Sequence, residues 1–266
     1  MNSENFQELV WQKGRELYRD MPWRVNTEPY SVLVSELMLQ QTQVDRVIPK
    51  FHQFMMAFPT IEALAVAPLG DVLRVWSGLG YNRRAKFLYE TAKKVIEDFN
   101  GTIPGTFDEL TQLPGVGPNT AGAILAYSFN QPAVFIETNV RTVYFFHLFP
   151  DGALISDKEL KEKVIETLDS EHPREWYWAL MDYGAFLKKE GAGQIDRSKH
   201  YKKQAPLKGS LREVRGLILK ALSHEELTES EIAARLPRDD RFKRALADLE
   251  SEKLVARTAG RLHLMR

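Results

Sequence analysis

The chain has no cysteine among its 266 residues. That excludes disulfides, thiolate zinc sites and cysteine-ligated iron–sulfur clusters, and it fits a cytoplasmic protein. It has no excess of either charge: 36 basic and 36 acidic residues balance, so composition does not announce a nucleic-acid binder. Long apolar runs are missing as well. No stretch approaches the roughly eighteen apolar residues of a membrane span. The N-terminus carries Glu4 and Glu8 and no apolar block, so it does not read as a signal peptide. The six histidines (His52, His147, His172, His200, His224, His263) show no ligand spacing and read as isolated surface or core side chains.

What is present supports a folded core: 44% hydrophobic and 27% charged residues, ordinary for a globular protein. The length suits one domain with an appendage, or two or three small ones. Charge is unevenly placed. From Leu207 onward there are 13 Lys plus Arg against 10 Asp plus Glu, leaving 23 against 26 for the remainder. The C-terminal segment is therefore the weakly basic part, which favours a polyanion contact there.

Apolar periodicity is helical throughout. Phe6, Leu9, Val10 and Leu17 mark an opening helix ending near Pro22, and Thr27 and Pro29 open a second through SVLVSELMLQQ. A third pattern runs from Val47 to Pro59, and two short ones cover Ile61–Ala65 and Leu69–Trp76. After a break at Gly78–Tyr81, RRAKFLYETAKKVIEDF predicts a long helix, and its basic run Arg83-Arg84-Lys86 reads as phosphate-touching or as a solvated face. Helices over Asn139–Leu148, Asp157–Leu168 and Glu175–Leu187 complete an all-α pattern. Trp76 and Trp178 fall on apolar faces and read as core. Residues 190–210 lose periodicity and read as a linker. Beyond them, residues 211–266 predict three helices and a hairpin turning at Ala259-Gly260, with a capping box from Thr228 to Glu231. That is the layout of a winged helix-turn-helix.

The stretch Leu113 to Leu125, LPGVGPNTAGAIL, reads as a helix end, a tight Gly-X-Gly turn and a new helix. Phe107, Leu110 and Leu113 share a face ahead of the turn. Gly115 and Gly117 can take positive φ, and Pro118 suits a first helical turn. Two readings stand: a plain αα-hairpin, or a helix-hairpin-helix that grips a phosphate through backbone amides.

Two carboxylates stand out. Glu36 lies among Leu33, Val34, Leu37 and Met38. Facing inward, it would have a raised pKa and could act as a general acid; facing outward beside Ser35 and Gln40, it would be an ordinary solvated side chain. Glu137 precedes a helix start, where the dipole favours an acid. One acid that donates a proton, with one that stabilises a cationic sugar, is what hydrolysis of a glycosidic bond needs.

SELMLQQTQV, GLGY, LPGVGPNTAGAIL and ETNVRTV together resemble the MutY-type adenine DNA glycosylases, and more broadly the helix-hairpin-helix glycosylases that include endonuclease III. The resemblance runs from about Trp23 to about Leu187. It implies a two-module core over residues 1–189: a six-helix module near 30–130, and a second from 1–29 plus 131–189, with substrate entering between them. It implies Glu36 as the acid that protonates the departing base and Glu137 as the sugar-stabilising carboxylate. Asn119 and Asn139 fall in the base pocket. DNA contacts fall to Gln41 and Tyr81, which probe or wedge the base stack, and to Leu113, Gly115, Val116, Gly117 and Thr120 at the hairpin, whose backbone in the family also holds a monovalent cation. The target nucleotide must flip out, because its glycosidic bond is unreachable within a duplex.

Four departures shape the expectations. Glu137 stands where the family has aspartate, one methylene shorter. Asn119 stands where bifunctional relatives have a Schiff-base lysine, so lyase activity is expected to be absent or weak. The four cysteines of most relatives are missing, with packing by Tyr183, Phe186 and Leu187 expected instead of a cluster. A Nudix-like C-terminal domain is replaced by the winged-helix segment. The expectation is a monomeric, DNA-associated monofunctional glycosylase, without metal or cofactor otherwise, acting on a mismatch or lesion in double-stranded DNA, with adenine the base. Release of another lesion, such as a deaminated base or mispaired pyrimidine, and a non-catalytic lesion reader are the alternatives.

Overall fold

In a computed structural model the chain folds almost wholly into helices. The structure describes residues 1–149, 153–193, 195–199, 205–236 and 240–265. In order come α1 (Ser3–Glu16), α2 (Pro22–Val25), α3 (Pro29–Leu39), α4 (Val44–Ala57), α5 (Ile61–Val66), α6 (Leu69–Trp76), α7 (Arg83–Phe99), α8 (Phe107–Leu110), α9 (Pro118–Tyr127), α10 (Thr138–Leu148), α11 (Asp157–Thr167) and α12 (Pro173–Lys189). Then follow α13 (Leu211–Leu222), β1 (Leu227–Thr228), α14 (Glu229–Arg235), α15 (Arg241–Ser251), β2 (Val255–Thr258) and β3 (Arg261–Leu264). Side-chain caps fix many starts. Asn2, Thr60, Thr106 and Ser210 each accept an N–H three residues on, and Ser156 and Thr228 form full capping boxes.

The chain divides into two compact units. One comprises Met1–Glu36, Pro104–Gln112 and Val116–Lys203. Its core is aromatic: Phe6 meets Tyr144 at 4.9 Å and Trp176 at 6.3 Å, and Phe135 stacks on Tyr177 at 3.9 Å. The α10 and α12 backbones approach so closely at Gly184 that a Cβ there would lie 2.3 Å from the Asn139 carbonyl oxygen. Within the stretch 190–210, residue 194 and residues 200–204 lie outside the described residues. Its 195–199 portion packs in: Arg197 is buried and donates to the carbonyls of Phe145 (3.0 Å) and Ala153 (3.3 Å), and Ser198 bridges Ile155.

The second unit comprises Leu37–Ile103, Leu113–Gly115 and Gln204–Arg266. Helices α4 to α7 surround Trp76, whose ring meets Phe54 edge-on at 6.1 Å. The C-terminal segment belongs to this unit. It pairs three antiparallel strands in the order β1-β3-β2, with Val255 opposite Leu264 and Thr258 opposite Arg261. The turn uses Ala259 (φ 48°) and Gly260 (φ 77°), the left-handed pair of a type I′ hairpin. The sequence reading contained this hairpin but not β1. Arg74 donates to the Ser223 carbonyl (3.2 Å) and Lys86 to the Glu252 carbonyl (2.6 Å), fastening the C-terminal segment to α6 and α7.

Three sequence readings are corrected. Phe107 is 43% and Phe186 39% exposed, so neither closes a core, although Leu110, Leu113, Tyr183 and Leu187 are buried. Arg84 is neither solvated nor offered to phosphate. It is buried and donates to the carbonyls of Leu37, Met38 and Gln40, each at 2.7 Å, capping the C-terminal end of α3.

The first unit's most buried charges are Arg24 and Asp182. Arg24 grips the carboxylate with two N–H groups, at 2.6 and 3.0 Å, while its guanidinium lies 5.3 Å from both the Tyr18 and Trp178 rings. Arg19 adds Nε at 2.6 Å. Removing one partner of a buried pair strands the other charge, at a cost of ~3–5 kcal/mol. Asp182→Asn should therefore lower the urea unfolding midpoint by that free energy; an unchanged midpoint would contradict this.

Candidate active site

Helix α3 is apolar on every side. Val32, Leu33, Val34, Leu37 and Met38 are all buried, and so are Ser31 and Ser35. No polar face exists on which Glu36 could be solvated. Glu36 is only 8% exposed, and none of the described residues offers its carboxylate a hydrogen bond or a cation. Burial first, and the Glu137 charge second, push its pKa well above the ordinary carboxylate value. Both effects favour the protonated form.

Glu137 is the N-cap residue of α10, but its side chain makes no capping bond. It is half-buried. Burial raises its pKa, and the Lys188 ammonium opposes the rise. Lys188 donates to Asn139 Oδ1 at 2.6 Å, while Asn139 Nδ2 donates to the Met181 carbonyl at 3.1 Å. Asn139 is thus fixed in orientation with a cation beside it. Burial in turn lowers the pKa of Lys188, with Glu137 holding it up. Tyr127 is buried, and its hydroxyl is held neutral by burial and then by Glu36 and Glu137. A carboxyl pushed toward its neutral form beside one whose charge a cation favours can supply an acid and a stabiliser of positive charge.

Asn119 acts on the backbone. Its Nδ2 donates to the Ile136 carbonyl and its Oδ1 accepts from the Ile136 N–H, both at 3.2 Å. This double bond, one residue before Glu137, ties the start of α9 to the chain that delivers the carboxylate. A lysine there would have no acceptor to offer.

At the hairpin, Gly115 takes φ +77°, and a Cβ would meet the Phe87 Cβ at 2.7 Å. Gly117 differs from expectation: at φ −87° it is an extended N-cap, conformationally open to any residue. Leu113 and Val116 are buried, so only their backbone can face a ligand. Gly117 is exposed and Thr120 half-buried. The Pro114 and Gly115 carbonyls already accept from Thr91 (2.7 Å) and Gln40 (3.5 Å).

Gln41 and Tyr81 belong to the second unit, and both adopt left-handed backbones, at φ 57° and 48°. Bulky residues rarely do so, and such strain gathers at functional sites. Arg84 holds both turns, donating to the Gln40 and Gly80 carbonyls.

Sequence reasoning missed Tyr127, Lys188 and the role of Arg84. For Lys188 a signal existed: it lies one helical turn beyond Gly184, on the face of α12 that meets Asn139. No described group of histidines and carboxylates could hold a metal ion. A cysteine-ligated cluster, which the resemblance implies for most relatives, does not fit a chain without cysteine.

Residues 34–169 match the family described as "HhH-GPD superfamily base excision DNA repair protein". The adenine DNA glycosylase of Buchnera aphidicola subsp. Baizongia pistaciae is 38% identical over 173 residues, covering 64% of this chain and 48% of that protein. That of Buchnera aphidicola subsp. Acyrthosiphon pisum is 36% identical over 213 residues, covering 71% and 61%. The chain therefore spans about half to three-fifths of the length of these curated relatives. Among solved structures, a thermostable thymine-DNA glycosylase superposes with a TM-score of 0.63 at 23% identity, covering 73% of this chain and 94% of the other, a likeness of fold.

Lys188→Met would remove both the donor to Asn139 and the cation beside Glu137. The carboxyl of Glu137, followed by ¹³C NMR, should then titrate at higher pH than in the parent protein. An unmoved midpoint would show that Lys188 does not act on Glu137.

Proposed function

The chain belongs to the HhH-GPD superfamily of base excision DNA repair proteins, and we propose that it is a monofunctional DNA glycosylase releasing adenine from a mispaired or damaged site in duplex DNA. The observation that carries this is Glu36: a buried carboxyl to which no described residue offers a hydrogen bond, with its pKa raised by burial and by the nearby Glu137 charge. Glu36 gives its proton to a ring nitrogen of the departing base. The Glu137 carboxylate, kept in place by Asn119 and supported by Lys188, stabilises the oxocarbenium-like sugar. The glycosidic bond breaks with its electron pair going to the base; water then adds at the sugar carbon, returns a proton to Glu36 and leaves an abasic site. The adenine assignment rests on SELMLQQTQV and on the names of the relatives.

Lyase activity is absent or weak, because Asn119 cannot form an imine and its carboxamide is committed to Ile136. Gln41 and Tyr81 enter the stack around the flipped nucleotide, while backbone amides from Gly115 to Thr120 take a phosphate. The hairpin backbone also holds a monovalent cation. The enzyme works as a monomer in the DNA-containing compartment, without an iron–sulfur cluster.

Glu36→Gln removes the proton donor and should cut single-turnover base release by about 10²–10⁴-fold while duplex binding persists; undiminished turnover in that variant would sink the assignment. The pH dependence has a definite sign. Since the folded-state pKa of Glu36 is raised, its stabilising contribution is fully present below the ordinary carboxylate value. That contribution is lost as pH rises through the folded value. Base release should fall over the same upper window. Glu36→Gln, which cannot ionise, should not share the alkaline loss of stability, as thermal melts between pH 5 and pH 9 would reveal.

A further inference from the structure

The C-terminal segment places an arginine on Tyr81. Arg212, in the first turn of α13, donates from Nη1 to the Tyr81 hydroxyl, and its guanidinium lies 5.3 Å from the ring centroid. Its Nη2 donates to the Ala205 carbonyl at 2.9 Å. Arg84 lies 5.5 Å from the same ring and holds the Gly80 carbonyl behind it. Tyr81 is thus flanked by two guanidiniums, one three residues away in sequence and one 131 residues away. Its own backbone stays in a conformation that tyrosine seldom adopts.

Tyr81 and Gln41 border a cleft of about 1400 Å³ that runs along α13. Its walls carry five cationic side chains besides the buried, already committed Arg84 (Arg46, Arg83, Arg212, Arg215 and Lys220) against three carboxylates. Two of those carboxylates, Asp248 and Glu252, are taken up by Arg215. The excess is positive, on walls that also carry apolar side chains such as Leu79, Phe87 and Leu217, a combination suited to phosphates and to the π-faces of bases.

We propose that this cleft takes the DNA strand opposite the excised base, and that Arg212 is a positioning residue that sets the angle of the Tyr81 ring as it enters the stack. The proposal rests on the glycosylase reading and assigns to the C-terminal segment the discrimination of the opposite base. Binding the strand leaves Tyr81 between bases, with Arg212 at its hydroxyl. The guanidinium donors then lie beside the edge of the opposite base, where a purine offers O6 or N7 acceptors and cytosine offers a donor.

The test uses the full chain carrying Glu36→Gln, which binds without turning over. The duplexes hold adenine opposite guanine or cytosine, with 2-aminopurine beside the opposite base to report unstacking. Fluorescence should rise on binding. Arg212→Ala and Tyr81→Phe should each reduce that rise and shrink the guanine-over-cytosine preference in Kd by about tenfold, the effect of losing one charge-assisted hydrogen bond. The double variant should lose no more than either single one, and Arg212→Lys, which keeps the charge without the fork, should recover part of the rise. A parent-sized rise and preference in Arg212→Ala would overturn the proposal. Equal weakening on both duplexes with an unchanged rise would also overturn it, making Arg212 a packing contact only. The glycosylase reading fails by a separate sign, the absence of base release from any duplex by the chain with Glu36 intact, and the proposal falls with it.

Discussion

A carboxyl buried in an apolar helix is the constraint on which the site depends. Helix α3 leaves Glu36 only 8% exposed, and no described residue offers it a cation. Burial favours its protonated form, because an isolated buried carboxylate costs far more. Burial raises the pKa of Glu137 too, but there Lys188 opposes the rise. Two groups of the same chemistry thereby sit in different electrostatic surroundings, the condition under which one site can supply both an acid and an anion. Asn119 and Asn139 serve this division. One anchors the backbone ahead of Glu137, and the other links Lys188 to the backbone of α12.

The second constraint is the burial of Arg84. Its guanidinium satisfies the C-terminal carbonyls of α3 and reaches the Gly80 carbonyl and the Thr42 hydroxyl. Burial is costly enough to pull its pKa down to about 10, yet a planar fork with five donors is the group able to meet so many acceptors. The turns carrying Gln41 and Tyr81 are therefore fixed to one rigid helix, α7. Backbone conformations that would otherwise relax are retained.

Most of the helical framework was legible in the sequence, because apolar periodicity, prolines and capping boxes are local signals. The helix predicted from RRAKFLYETAKKVIEDF spans the same residues in α7, and the Thr228–Glu231 capping box forms as read. What escaped depends on distant partners. Arg84 looked like part of a basic surface run because nothing within α7 announces the carbonyls of α3. Lys188 drew no reading at all, since its partner Asn139 is 49 positions away. Phe186 shares a heptapeptide with Tyr183 and Leu187 but points outward, and a helix end gives few clues to which apolar residue is left over. Strand β1 is two residues long, too short for any period to register. The carboxylate pair was proposed from the resemblance; the burial that raises the pKa of both, and the Lys188 charge that opposes it at Glu137, are properties of the packed chain.

The most direct measurement of the central claim is single-turnover base release from labelled duplexes. These hold adenine opposite guanine, 8-oxoguanine or cytosine, and uracil, thymine or hypoxanthine in mispairs, each scored with and without alkali. The account predicts adenine release, with strand breaks that appear only after alkali, because an abasic site is left intact. Strand cleavage without alkali, or release of another base while adenine stays in place, would contradict it.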